Sequence, residues 1–138
     1  MGNTITLNDG LKTYEIKNQN GELLAKFSFN PTDSDLMTRY NNGIKNLELK
    51  ENELMQKGEQ TIEDVIEEDN YIKKTIDEIF NAPVSDSFFT IMGVRSLVGG
   101  RFFFEFVIET LGNIIKEENQ NQMSEMKKRI EKYGKRYK

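Results

Sequence analysis

The stretch from Phe88 to Ile115 constrains the fold more than any other, because it is the only densely apolar run in a polar chain. Four of the nine phenylalanines fall within Arg101–Phe106, and Gly99-Gly100 divides the run into a short first half and a long second half. Such a segment must be the floor on which the amphipathic remainder packs. With 138 residues, 36% hydrophobic and 30% charged, the chain has the composition of one charge-rich globular domain rather than a disordered one. No residue in or near the run has conventional catalytic chemistry, since the chain contains no His, Cys or Trp. Without His or Cys, and with no convergent Ser, Tyr, Lys or carboxylate arrangement, an enzyme is the least favoured class. No catalytic, cofactor-binding or metal-ligating residues are therefore assigned.

The net charge of −4 conceals a split. Residues 127–138 carry seven Lys/Arg against one Glu, net +6, which leaves the other 126 residues at net −10. An acidic body argues against wholesale nucleic-acid binding. No run of 18 apolar residues occurs, and the N-terminus lacks a basic region followed by an apolar one. Membrane spanning and secretory export are not expected.

Taken in order, Thr4–Leu7, Thr13–Lys17 and Leu23–Phe29 read as three strands. They are separated by Asp9-Gly10 and Asn20-Gly21, pairs that supply the positive φ of tight hairpin turns. The expectation is a three-stranded antiparallel meander, apolar on one face. Thr32 and Asp35 have capping-box spacing and open a first helix over residues 34–57, which Gly43 weakens or breaks. Thr61-x-x-Asp64 caps a second helix over 62–81, with Ile62, Val65, Ile66, Ile72, Ile76, Ile79 and Phe80 on one stripe that only Asp69 interrupts. Ser85 or Asp86 caps a short helix over 86–92, and a loop over Gly93–Gly100 follows. A long helix then begins near Arg101, buried to about residue 116. The fold class is α+β, mainly α: an N-terminal meander followed by three to four helices, the last one long. Residues 1–116 form the globular domain and 117–138 a projecting amphipathic helix with a basic tail. From Lys116 onward the apolar residues thin to Met123, Met126, Ile130, Tyr133 and Tyr137, a narrow seam sufficient for one partner helix or for self-association.

The acidic cluster Glu63, Asp64, Glu67, Glu68 and Asp69 lacks the His that a di-metal helix motif requires, and reads as a solvated helix face. The glycine-flanked segment Gly93–Arg101 lacks phosphate-loop spacing and reads as a connection between helices. As a display loop beside an aromatic floor, it offers Met92, Val94, Arg95 and Leu97 to a partner. Met123, Met126, Ile130, Tyr133, Arg136 and Tyr137 on the arm form the second candidate binding surface.

Three stretches carry a resemblance. Tyr14–Tyr40 (YEIKNQNGELLAKFSFNPTDSDLMTRY), Ile72–Phe89 (IKKTIDEIFNAPVSDSFF) and the close with Lys127-Lys128-Arg129 and Tyr133-x-x-Arg136 resemble the tail assembly chaperones encoded by long-tailed phages and prophages of Gram-positive bacteria. Asn81 departs from that pattern, which has Gly after Ile-Phe. The resemblance implies a non-catalytic role: binding the tape measure protein, keeping it soluble, and recruiting tail tube subunits. It also implies that the chain acts in the bacterial host cytoplasm and is absent from the mature virion. The alternative reading is a small phage regulatory or host-defence-interacting protein that contacts nucleic acid through its basic tail.

Overall fold

The structure is a computed structural model that describes residues 2–136, with side chains to residue 132. It is mainly helical: strands β1 (Lys12–Lys17) and β2 (Leu23–Phe29) precede helices α1 (Leu36–Lys57), α2 (Ile62–Phe80) and α3 (Val84–Phe89). Two short strands, β3 (Leu97–Val98) and β4 (Arg101–Phe102), then lead into α4 (Phe103–Arg136). β1 and β2 pair antiparallel, with Tyr14 opposite Phe27 and Ile16 opposite Ala25. Asn18 organises their turn by accepting the Asn20 and Glu22 N–H groups at 3.0 Å, and Gly21 supplies the positive φ.

The meander has two strands, not three. Thr4–Leu7 is exposed and unpaired. The favoured two-residue hairpin turns need positive φ at the first central residue or at both, and of Asp9-Gly10 only the second, Gly10, has it. Instead, the side chains of Asn8 and Asp9 accept the N–H groups two residues on, and Asn30 Nδ2 binds the Asp9 carbonyl at 3.0 Å. Those contacts, not strand pairing, hold the chain ahead of β1. Four residues with two apolar side chains bury too little surface to offset the entropy of pairing.

The apolar face of the β1–β2 ribbon lies on the helices through an aromatic stack. Tyr14 stacks on Phe27, Phe27 meets Phe88, and Phe29 meets the edge of Phe80, at centroid separations of 5.2–5.4 Å. Leu36, Ile72, Ile76, Ile79, Val84, Val107, Leu111 and Ile115 complete the core. Phe103 of the central apolar run is 6% exposed and packs against Phe88 and Phe89.

α1 runs unbroken through Gly43, whose missing side chain admits α2. A Cβ there would lie 2.4 Å from Ile79 Cδ1. The Thr32/Asp35 box does not form, and the Asp35 side chain makes no cap bond. Asn30 Oδ1 accepts from Thr32, Asp33 Oδ1 accepts the Asp35 N–H, and Arg39 pairs with Asp33 while donating to the Ile79 carbonyl at 2.8 Å. Arg39 thus ties the start of α1 to the end of α2. At the other end the expected capping box of α2 is present: Thr61 Oγ1 accepts from Asp64 N, and Asp64 Oδ2 accepts from Thr61 N. Asn81 closes α2 in the left-handed region (φ 51°), the conformation that Gly or Asn adopts at a helix end. α3 starts two residues before the sequence-based expectation. Asp77, on α2, accepts both the N–H and the hydroxyl of Ser85 at 2.8 Å, so Ser85 is held by α2 rather than capping α3 itself.

The segment read as a loop contains a hairpin. Gly99 and Gly100 both have positive φ (61° and 79°), the two-residue turn that twist-matched strands favour, and Leu97 pairs with Phe102. No helix among the described residues is long and apolar enough to cross a membrane.

Candidate partner-binding surface

Two regions were expected to meet partners, and the structure treats them differently. In the Gly93–Arg101 region, Val94 is 3% exposed, a core residue whose carbonyl accepts from Phe104 N. Arg95 is engaged: Nε donates to Asp69 at 2.8 Å, Nη2 faces Glu68, and the guanidinium lies over the Phe102 ring. Met92 is half-buried against the core. Of the four residues expected to meet a partner here, only Leu97, at 73% exposed, is displayed. The physical reason is charge. Asp69 interrupts the core stripe of α2 and Glu68 is nearly buried, so both carboxylates require a cation, and Arg95 is the one that reaches them. This corrects two expectations: Glu68 and Asp69 are not merely a solvated face, and Arg95 anchors the loop instead of advertising it.

The acidic cluster has a third structural member. Asp64 binds Lys57 Nζ at 2.8 and 2.9 Å, clasping the end of α1 to the start of α2. The Lys57 ammonium first, and then the Thr61 N–H, hold the Asp64 carboxyl at about 2. Among the described residues no group of three or more His, Cys, Asp or Glu could hold a metal ion.

On α4 the buried row Val107, Leu111 and Ile115 continues at three- and four-residue steps through Asn119 into Met123, Met126 and Ile130. Those last three are 63%, 51% and 64% exposed, and residues 120–132 are exposed throughout. Tyr133 and Arg136 lie on the same helix, but their side chains, and Tyr137 altogether, fall outside the described residues. The two candidate regions are not brought together. Phe103, beside Val94 and Ser96, and Met123 are 20 residues apart on one helix, about 30 Å.

Between them the structure opens a groove that the sequence does not announce. It encloses about 800 Å³ between α1 and α4, with Met37, Tyr40, Gly112, Ile115 and Met123 as its apolar lining. Glu109, Asn113, Lys116, Asn119 and Gln120 supply the polar positions. Gly112 shapes it: a Cβ there would sit 3.1 Å from Tyr40 Oη, so the glycine lets the tyrosine lie close across α4. Burial pushes the Tyr40 hydroxyl up in pKa, keeping it a neutral donor. Burial and then the neighbouring Glu118 carboxylate push the Tyr14 hydroxyl up to about 12. Met123 is the one expected residue that lines the groove. Met37, Tyr40 and Gly112 were legible only as ordinary helix positions, although a glycine inside an apolar helical run does signal close approach.

Comparison with known protein families, with characterised proteins and with solved structures finds no match to this chain.

Proposed function

We propose that the protein is a non-catalytic binding module that holds apolar helical segments of a partner along the α1–α4 groove and the arm beyond it. The observation that carries this is continuity: Met123 belongs both to the groove and to the exposed row with Met126 and Ile130. A surface of this kind suits weak, adaptable contact with many similar sequences. Methionine side chains refill irregular gaps at little cost, and repeated weak sites gain strength through avidity.

Combined with the resemblance of Tyr14–Tyr40 and Ile72–Phe89, this surface supports a specific role as a phage tail assembly chaperone. The partner is then a tape measure protein, whose apolar helices need covering before tube subunits are recruited around it. The site of action is the host bacterial cytoplasm, and the finished tail lacks the protein. Co-expression with the tape measure protein of the same phage or prophage tests this. The expected result is a gain in soluble tape measure that Met126→Asp/Ile130→Asp removes. No gain, or a gain indifferent to that double substitution, would count against the proposal.

The second reading, nucleic-acid contact, draws on Lys127, Lys128, Arg129 and Lys132, all exposed on α4. Titration with RNA or DNA at several salt concentrations separates the two, since phosphate binding weakens steeply with salt.

A further inference from the structure

The exposed end of α4 carries a charge pattern that narrows what can lie along it. Met123, Met126 and Ile130 follow one another at steps of three and four, and all three are exposed. They form one apolar row about 10 Å long on a single side of the helix. Each residue turns about 100° around the axis, so Lys127 borders the row on one side and Arg129 on the other, each about 80° from its centre. Glu125 and Glu131 lie farther round, at about 120°. Lys128 pairs with Glu125 at 3.7 Å, whereas among the described residues Lys127 and Arg129 have no carboxylate within ion-pair distance. Nearer the root of the arm, the residues flanking Met123 are the uncharged Gln120 and Gln122. The row is thus neutral-bordered at its inner end and basic-bordered on both sides at its outer end.

A second copy of the arm is a poor match for that pattern. Packed antiparallel, it sets Lys127 against Lys127 and Arg129 against Arg129, and packed parallel it brings two basic segments of net +6 into register. Nucleic acid would engage the cations but leave the apolar row in water. We propose that Met123–Ile130 receives an amphipathic helix of another protein, one whose apolar stripe is flanked on both sides by Asp or Glu where it meets Lys127 and Arg129. This rests on the arm being a partner surface and specifies the chemistry of the partner. The apolar row supplies the contact, and the paired borders fix which end of the partner helix lies at the tip and reject basic helices.

Three designed peptides of about 20 residues, long enough to form a helix in water, test it on the full-length protein. All share one stripe of Leu at three- and four-residue steps, with Glu, Gln or Lys on both flanks. The ε-methyl NMR shifts of Met123 and Met126 give each affinity. The expected order is Glu, then Gln, then Lys, with at least about a fivefold span between the first and last that narrows as salt rises. Lys127→Glu with Arg129→Glu, both at exposed positions that leave the core intact, should reverse the order. Equal affinities, or an order unchanged by that double reversal, would refute the charge assignment while leaving the arm as a binding surface. No methyl shift with any peptide would refute the surface itself. A protein already dimeric through Met126 and Ile130 in sedimentation, or an RNA oligonucleotide shifting both methyls when the Glu peptide does not, would also overturn the proposal.

Discussion

Gly43→Ala tests how α1 and α2 pack, because two opposite effects of known size meet at that residue. An exposed helical glycine replaced by alanine gains about 1 kcal/mol from backbone entropy. Gly43 is buried, however, and its added Cβ would lie 2.4 Å from Ile79 Cδ1, 2.5 Å from Ile79 Cγ1 and 3.4 Å from Thr75 Cγ2. Ile79 is 2% exposed and fixed within the core, so the conflict is relieved only by moving α1 or by forcing a new rotamer. Overpacking of that kind costs about 1–3 kcal/mol. The net expectation is destabilisation by roughly 1 kcal/mol, a urea midpoint lower by about 0.5 M at an ordinary m-value. Far-UV circular dichroism during urea titration measures it. Asn42→Ala, exposed on the same helix, is the control and should stabilise by a few tenths of a kcal/mol, about the propensity difference. Adding Ile79→Val removes the Cδ1 atom, so its usual cost of about 0.5–1.5 kcal/mol should shrink in the Gly43→Ala background. A Gly43→Ala protein more stable than the parent by about 1 kcal/mol, the full propensity gain, would refute close packing at this crossing.

Arg95→Ala strips the nearly buried Glu68 and neighbouring Asp69 of their cation, and should lower stability by about 1–3 kcal/mol in chemical denaturation; an unchanged midpoint would mean the loop is not anchored this way. Phe103→Ala empties the aromatic floor between Phe88 and Phe89 and should cost about 3–5 kcal/mol by the same measurement. The Asp64 carboxyl, followed by NMR titration, should protonate near 2 rather than at its ordinary 3.8. Because that pKa is lowered on folding, the Lys57–Asp64 clasp contributes in full above about pH 4 and is lost as pH falls toward 2, so Asp64→Asn should flatten the acid limb of the stability profile. An Asp64 titrating at its ordinary value would show the clasp open in solution.

What could be read from the chain follows from the range of the interactions involved. α2 was legible almost to the residue, since its capping box, its stripe of Ile72, Ile76, Ile79 and Phe80, and Pro83 beyond it are all local signals. The expected third strand is absent because Asp9-Gly10 does not form a hairpin turn: Asn8, Asp9 and Asn30 spend their hydrogen bonds on the chain ahead of β1 instead. The β3–β4 hairpin escaped notice because two residues per strand leave no alternation to detect, although Gly99-Gly100 did mark its turn. Asp69 looked like a flaw in a core stripe until Arg95, 26 positions away, supplied its partner. The groove depends on how α1 lies across α4, a long-range fact for which Gly112 alone left a trace.

The most direct test of the proposed binding surface is an NMR titration of the methyl-labelled protein with a peptide from an apolar helical segment of the proposed partner, a tape measure protein. The expected result is saturable shifts at Met37, Met123 and Met126, with Met55 unmoved. No binding, or shifts at Met55 while the groove and arm signals stay in place, would contradict the assignment of this surface.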